Sequence, residues 1–242
     1  ETGVRPGPQA RSVLVTLNVL DGARIVARQS SPIAVRDTDV APLRFDIPVT
    51  GGVRPWSPDR PNLYRVPCTL SDPTSGEVLD EHFARIGFRH VEGQGTRLLW
   101  NGRPLQLRGV LHWGYSAPRF APPEDPEYWR PQLEGIKALG CNMVKACLWM
   151  PPPAFYEIAD EIGLVVWQEY PTWHPTLTAS FLPQLQQEYE ELHRHDRGHV
   201  AVAIRSLTCE TGHSAEIDVI RALFDRCKAM VPDTLLVDDS AW

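Results

Sequence analysis

The sequence lacks the patterns that mark several large classes of protein. Its five cysteines are scattered, and none stands in a Cys-x-x-Cys or Cys/His spacing typical of a disulfide framework or a zinc site. No apolar run approaches the roughly 18 residues of a membrane span, and no signal-peptide pattern occurs. We therefore expect no metal, no cofactor and no membrane partner. Unpaired thiols fit a cytoplasmic location, and a secreted parent protein stays open.

The charge balance argues against a nucleic-acid partner. The net charge is −6 with an isoelectric point near 5.8, and the basic residues form no patch of the kind that nucleic-acid-binding proteins use. No Gly-rich phosphate loop follows the first strand of the second half, which argues against a dinucleotide-binding fold. We expect neither nucleic acid nor a nucleotide cofactor to bind.

Residues 1–92 alternate apolar and polar side chains over short stretches. The alternation runs through 13–19 and again through 43–49, and Asp21-Gly22 is a hairpin turn signal before a return strand. Pro, Gly and Asp separate these stretches, and no helical period appears. The pattern predicts a small antiparallel β-sandwich.

From about residue 93 the pattern changes. Asn101-Gly102 predicts one more hairpin, and apolar residues then recur at helical spacing between short buried strands. This alternation predicts parallel strands joined by helical crossovers. We therefore expect a multidomain fold, β followed by α/β, in which residues 93–242 form part of a TIM (β/α)8 barrel. About five β/α units are visible, whereas a complete barrel needs eight strands and about 250 residues.

The stretch from His195 to Gly212 contains the strongest candidate for a functional residue. Val200 to Ile204 is an apolar run without polar alternation, as expected for a strand buried on both faces. Glu210 follows, and α/β barrels place their catalytic groups just past the C-terminal ends of the strands. The alternative is a glutamate that caps or pairs with a loop, since position in a fold does not by itself establish function.

Several motifs, taken in order, resemble those of one enzyme family. They are 56–58 (WSP) with 61–64 (PNLY), 87–89 (GFR), 101–102 (NG) with 107–110 (LRGV), 142–144 (NMV), 160–166 (DEIGLVV) and 196–199 (DRGH) through Glu210. The ordered set resembles glycoside hydrolase family 2, the β-galactosidase, β-glucuronidase and β-mannosidase group. The resemblance covers nearly the whole chain. It implies an immunoglobulin-like β-sandwich over 1–92 and a partial TIM-barrel catalytic domain over 93–242, as in an interior fragment of a divergent member.

The resemblance implies a retaining, exo-acting β-glycosidase whose partner is a β-linked glycoside or oligosaccharide. Glu210 would be the general acid/base. The second carboxylate, the nucleophile, would lie beyond the C-terminus, because no Glu follows Glu216. We therefore expect this chain alone to be inactive. We also expect it to self-associate through the open edges of an incomplete barrel.

Five positions depart from the family's pattern, one of them Val200, which replaces the usual Pro. Cys209 stands where the family has an Asn that bonds the sugar 2-hydroxyl, and a thiol is a weak donor and acceptor. Lys145 replaces a common Arg and loses its bidentate fork. His112 falls one position before the family's His, and Arg205 replaces a Trp. Cys209, Lys145 and His112 are still predicted to bind substrate.

Five other residues at strand ends, or in the loops after them, are predicted to bind substrate: Glu169, Trp149, Trp173, His174 and His213. A loop ion pair is the alternative for Glu169, and core packing or loop anchoring is the alternative for the next three.

The competing function is a non-catalytic carbohydrate-binding or interaction module derived from the same fold. Cys209 and the missing second glutamate favour that alternative.

Overall fold

The computed structural model describes residues 2–4, 11–35, 41–49, 52–116, 121–212 and 215–240, with the backbone alone for 2–4, 11, 41 and 42. The chain divides into two compact units, Glu1–Arg54 with Leu63–Ile86 and Pro55–Asn62 with Gly87–Trp242. The sequence predicted a single boundary after residue 92. The segment 55–62 belongs to the second unit because Trp56 is fully buried there and its Nε1 donates to the carbonyl of Asp160 at 2.8 Å.

The first unit is built of strands. They are β1 (Thr2–Val4), β2 (Arg11–Asp21), β3 (Arg24–Val35), β4 (Ala41–Leu43), β5 (Tyr64–Ser71) and β6 (Val78–Ile86). An antiparallel sheet has the order β3-β2-β5-β6, and β1 pairs with β4. The predicted hairpin turn joins β2 to β3, and Gly22 in it has φ +60°. Val13, Val15 and Val19 are buried as the alternation predicts, whereas Thr16 between them is buried as well and Leu17 is half-buried.

The prediction of a strand over residues 43–49 was wrong in its length. β4 ends at Leu43, and residues 44–49 of the described segment are in no strand. Their side chains alternate between half-buried and exposed, so the pattern identified the two faces of an extended segment. Pro48 has no backbone N–H to donate to a ladder, which disfavours strand pairing here.

The second unit combines a small antiparallel sheet with a parallel sheet and helices. Its elements are β7 (Val91–Gln94), β8 (Arg97–Trp100), β9 (Arg103–Pro104), β10 (Gly109–His112), α1 (Pro126–Ala138), β11 (Met143–Ala146), α2 (Pro153–Ile162), β12 (Val165–Glu169), α3 (Leu182–Asp196), β13 (Val202–Cys209), α4 (Ile217–Met230) and β14 (Leu235–Ser240). β7, β8 and β9 are antiparallel, whereas β10-β11-β12-β13-β14 is a five-stranded parallel sheet in that order. The predicted change from β to α/β organisation is confirmed. No helix in the described ranges is both long and apolar enough to cross a membrane.

Local sequence sets the ends of the first two helices. Asp125 accepts a hydrogen bond from the backbone N–H of Glu127 at 2.9 Å, and α1 begins at the next residue, a proline. α2 ends at Ile162, and the next residue, Gly163, has a φ of +74°, the left-handed conformation common at helix C-termini. Both helices bury aromatic residues, among them Trp129 and Phe155.

A buried ion pair joins α3 to the parallel sheet. Asp196 at the end of α3 and Arg205 in β13 have side chains 0% and 1% exposed. Arg205 donates to Asp196 Oδ1 from Nη2 at 2.8 Å and from Nε at 3.2 Å, and Tyr170 donates to Oδ2 at 3.2 Å. Arg205 Nη1 also donates to Thr234 Oγ1 at 2.8 Å. Burial lowers the pKa of Arg205, but the charges of Asp196 and Tyr170 and the hydrogen bonds to both together outweigh burial, so the pKa is raised.

We predict that breaking this pair from one side destabilises the second unit. Arg205→Met should cost about 3–5 kcal/mol of unfolding free energy, because it leaves the Asp196 carboxylate buried without its cation. The double variant Arg205→Met with Asp196→Leu should recover most of that loss. Denaturant titration measures both.

The matched control is Arg221→Met, which removes an exposed partner of Asp218 and should cost no more than about 1 kcal/mol. A loss in Arg205→Met no larger than in this control would contradict the prediction.

Candidate active site

The ends of the five parallel strands define one edge of the sheet, which we call the C-terminal edge. The last residues of these strands are His112, Ala146, Glu169, Cys209 and Ser240. Glu210 follows β13 directly, and the register pairs Cys209 with Ser240 on the neighbouring strand. Most of the predicted site residues therefore come from this edge or from the loops that leave it.

The Glu210 carboxyl is oriented by two side chains of the loop after β12. Trp173 Nε1 donates to Glu210 Oε2 at 3.0 Å, and His174 Nε2 lies 3.0 Å from the same oxygen. The loop is fixed to β13, because the backbone N–H of His174 donates to the carbonyl of Cys209 at 3.0 Å. The Glu210 side chain is 37% exposed, so a ligand can reach it. The structure thus brings Glu210, Trp173 and His174 together as one group.

Both Glu210 and His174 have backbone conformations that side chains disfavour. Their φ angles are +52° and +45°. Non-glycine residues in this region carry strain and persist only where the surrounding contacts determine the conformation. For Glu210, one such contact is its backbone N–H, which donates to the carbonyl of Ser240 at 3.1 Å. Strain of this kind concentrates at functional sites.

A second carboxylate, Glu169, is fully buried at the end of β12. Lys145 Nζ lies 2.6 Å from its Oε1, and the Ser240 hydroxyl donates to the same oxygen. Cys147 Sγ donates to Oε2 at 2.9 Å. Both carboxylate oxygens therefore already have protein partners. These partners come from β14, from β11 and from the residue after β11. This geometry matches the ion-pair alternative for Glu169.

Lys145 is committed to the same cluster. Besides Glu169, its ammonium contacts the Ser240 hydroxyl at 3.2 Å and lies 4.9 Å from the ring centroid of Trp167. Its side chain is 13% exposed. The Lys145 ammonium is therefore poorly placed to bind an anionic group of a substrate.

The two cysteines at this edge are held as neutral thiols. Burial, and then the hydrogen bond to Glu169, raises the pKa of Cys147 to about 12. Burial raises the pKa of Cys209 as well, partly opposed by its hydrogen bond with Ser240. A neutral thiol is a poor nucleophile, so Cys209 can act here only as a packing group and a weak hydrogen-bonding group.

His112 and Trp149 lie in a different environment. The His112 ring packs among Trp129, Trp149 and Phe155, with centroids 5.4–5.9 Å away. Trp149 Nε1 donates to the carbonyl of His112 at 2.7 Å. Burial lowers the pKa of His112, against the opposing effect of its hydrogen bond with Gln132. The structure does not bring these two residues into the Glu210 group, and His213 lies outside the described residues.

Sequence reasoning missed two members of the buried cluster. Cys147 follows Lys145 by two positions, the period that puts side chains on one face of a strand, and this spacing is the signal that could have identified it. Ser240, the last residue of β14, is the second member that the sequence analysis did not predict. Within the described ranges, no group of three or more His, Cys, Asp or Glu is arranged to hold a metal ion.

We predict that the site cysteines resist alkylation in the folded protein. With iodoacetamide at pH 8, Cys141, which is half-buried, should react first, because Cys147 and Cys209 are buried and their pKa values are raised. Mass spectrometry of timed samples gives the order, and a denatured sample is the control. Native labelling of Cys209 as fast as Cys141 would contradict the burial described above.

Comparison with protein families points the same way as the motifs. The model of "Glycosyl hydrolases family 2" matches residues 5–89. The chain is 30% identical over 173 residues to a β-galactosidase of Enterobacter cloacae, covering 68% of this chain and 17% of that protein. It is also 30% identical over 192 residues to a β-galactosidase of Pectobacterium atrosepticum, covering 75% of this chain and 18% of that protein. The chain therefore spans under a fifth of the length of these relatives.

Solved structures show the same fold. The β-glucuronidase 2 of Bacteroides uniformis, covalently bound to cyclophellitol-6-carboxylate aziridine, superposes with a TM-score of 0.81 at 18% identity, over 95% of this chain and 30% of that one. The β-glucuronidase of Parabacteroides merdae gives 0.76 at 20% identity, over 93% and 29%. At these identities the likeness concerns the fold alone. Taken with the motifs, the family match and the curated relatives, it leads to one conclusion: the chain belongs to glycoside hydrolase family 2.

Proposed function

We propose that Glu210 is the general acid/base of a retaining β-glycosidase that binds its substrate at the C-terminal edge. One observation carries the proposal. Glu210 follows a buried parallel strand, stays partly exposed, and has its carboxyl oriented by Trp173 and His174. That placement is the one α/β barrels use for chemistry. The parallel sheet is then part of a TIM barrel, preceded by an immunoglobulin-like domain.

The proposed reaction has two steps. In the first, protonated Glu210 donates its proton to the glycosidic oxygen as the bond to the anomeric carbon breaks, and a second carboxylate forms an ester with that carbon. In the second, ionised Glu210 takes a proton from water, whose oxygen attacks the anomeric carbon and releases the second carboxylate. Because Oε2 accepts the hydrogen bond of Trp173, we assign the transferred proton to Oε1.

Neither of two other carboxylates at this edge suits the nucleophile. Glu169 is fully buried and both its oxygens accept protein hydrogen bonds, so it cannot reach an anomeric carbon. Asp239 Oδ1 accepts hydrogen bonds from Thr208 Oγ1 at 3.0 Å and from Thr211 Oγ1 at 3.0 Å. A retaining site needs its two carboxyl groups about 5–5.5 Å apart. We propose that another part of the protein supplies the second.

The remaining residues of the edge serve Glu210 and the substrate. Trp173 and His174 orient the carboxyl, and the ring of Trp173, 61% exposed, offers an apolar face to a sugar. Lys145 and Glu169 hold Ser240, whose carbonyl receives the backbone N–H of Glu210. These two are positioning residues in this proposal rather than substrate ligands.

A non-catalytic carbohydrate-binding module is the second candidate. The observation in its favour is Cys209, a buried neutral thiol where the family has an amide that bonds the sugar. Such a module would bind oligosaccharides without turnover, and isothermal titration calorimetry beside an activity assay separates the two functions.

We predict that Glu210→Gln removes acid catalysis. In the active protein, turnover of β-glycosides with poor leaving groups should fall by about 10²–10⁴-fold, because the leaving oxygen is no longer protonated. Para-nitrophenyl β-glycosides need little protonation, so their first step should suffer less.

Glu216→Gln is the control, since Glu216 is an exposed glutamate at the start of α4. Equal and small losses on both kinds of substrate would exclude Glu210 from the role.

We predict that Cys209→Asn maintains or raises activity. The amide supplies a stronger donor and acceptor than the thiol for a sugar hydroxyl. Steady-state kinetics on the same substrates, with a circular-dichroism check of folding, measures the effect. A sharp loss in a folded variant would mean that the pocket is adapted to sulfur.

A further inference from the structure

Asp239 takes no part in the proposed reaction, yet its carboxylate connects β14 to the residues around Glu210. In the register of the parallel sheet, Asp239 pairs with Thr208 of β13. Its Oδ1 accepts from the hydroxyl groups of Thr208 and Thr211, each at 3.0 Å, and from the backbone N–H of Thr211 at 3.3 Å. One carboxylate oxygen therefore contacts three donors, which lie on both sides of Glu210 in the sequence.

The two threonines are buried, which strengthens their contacts with the carboxylate. Thr208 and Thr211 are 1% and 4% exposed. Hydrogen bonds to a charged acceptor are stronger than neutral ones, and burial reduces their screening by water. The Thr211 hydroxyl also lies 2.6 Å from that of Thr208, which in turn lies 2.8 Å from the carbonyl of Asp238. The two hydroxyl protons thus serve three acceptors, whereas the Thr211 N–H has one fixed direction.

The bond from the Thr211 N–H bears on the strained backbone of Glu210, whose φ is +52°. The φ and ψ angles of a residue relate the peptide plane before it to the peptide plane after it. The plane before Glu210 is bound to β14, because the Glu210 N–H donates to the carbonyl of Ser240 at 3.1 Å. The plane after Glu210 contains the Thr211 N–H, which Asp239 binds. Both planes are therefore attached to β14, the second through the side chain of Asp239.

We propose that Asp239 is a positioning residue for Glu210. By holding the peptide plane after Glu210, it maintains the left-handed conformation from which the carboxyl reaches Trp173 Nε1. An extended or right-handed conformation is more stable for a residue with a side chain. Without the Asp239 carboxylate, the Glu210 backbone therefore leaves the left-handed region and its carboxyl leaves Trp173. The effect of Asp239 on turnover rests on the proposed function, whereas its effect on the Glu210 conformation does not.

The first test needs no activity. The indole N–H of Trp173 donates to Glu210, so its resonance in a proton–nitrogen correlation spectrum of the whole chain reports the position of the carboxyl. Trp173→Phe identifies this resonance among those of the eight tryptophans, and Glu210→Ala gives its position without the hydrogen bond. Asp239→Ala should move the resonance most of the way to the Glu210→Ala position. Asp239→Asn keeps an acceptor oxygen and should leave the resonance close to its original position.

The matched control is Asp225→Ala, which removes an exposed carboxylate on α4 and should not move the Trp173 resonance. The other indole resonances show whether each variant is folded. If Asp239→Ala does not fold, Asp239→Ser takes its place, because the serine hydroxyl is one bond shorter than the carboxylate and does not reach the Thr211 N–H. A folded Asp239→Ala or Asp239→Ser variant with the Trp173 resonance in its original position would overturn the proposal.

The second test measures turnover in the active protein. Asp239→Ala should lower kcat by about 10²-fold on β-glycosides with poor leaving groups and change KM little, because a misplaced acid affects the reaction more than substrate binding. Asp239→Asn should recover most of the loss.

The two tests together separate this inference from the proposed function. A moved Trp173 resonance with unchanged kcat in Asp239→Ala, beside lost turnover in Glu210→Gln, would overturn Asp239 as a positioning residue of the reaction. A moved resonance with unchanged kcat in both variants would support the role of Asp239 in holding Glu210 and overturn the proposed acid/base.

Discussion

The arrangement of the C-terminal edge depends on one buried carboxylate whose charge is neutralised by a lysine and whose two oxygens both accept hydrogen bonds. Glu169 has no contact with solvent, and a carboxylate in such a place is stable only where cations and donors surround it. Lys145, Cys147 and Ser240 supply them from β14 and from β11 and the residue after it. The ends of β11, β12 and β14 are therefore joined by an ion pair and hydrogen bonds at this edge. The backbone N–H of Glu210 donates to the carbonyl of Ser240, so the position of Glu210 depends on this cluster.

A second buried carboxylate, Asp196, is also neutralised by a cation and by hydrogen bonds. Asp196 and Arg205 form a buried pair between α3 and β13, and Tyr170 and Thr234 complete their hydrogen bonds. By the motif resemblance, this arginine replaces a tryptophan of the family. The members of this network come from α3, from β13, from the residue after β12 and from the residue before β14, so the network depends on four separate parts of the chain.

Local signals in the sequence predicted the scaffold well and the composition of the site only in part. Asp125 and Gly163 set two helix ends because side-chain caps and left-handed glycines depend on the residue itself. Glu210 was predicted as a site residue because a buried strand and a motif that resembles the family's end there. His112 was grouped with the site although its ring packs on α1 and α2, since sequence alone did not reveal which face of β10 looks toward the helices. Ser240 was missed because its importance comes from a neighbour 71 residues away along the chain.

The positive φ angles of His174 and Glu210 lower the stability of the fold at the two positions whose side chains serve the proposed chemistry. Glycine would adopt either conformation without the strain that a side chain brings there, of order 1 kcal/mol or more. The folded chain would therefore tolerate, and even gain from, the loss of the two side chains that orient and carry the proposed proton transfer. Screens that select variants for heat resistance alone would therefore favour glycine at these two positions. Any programme to stabilise the protein should therefore hold both positions fixed and look for its gains elsewhere.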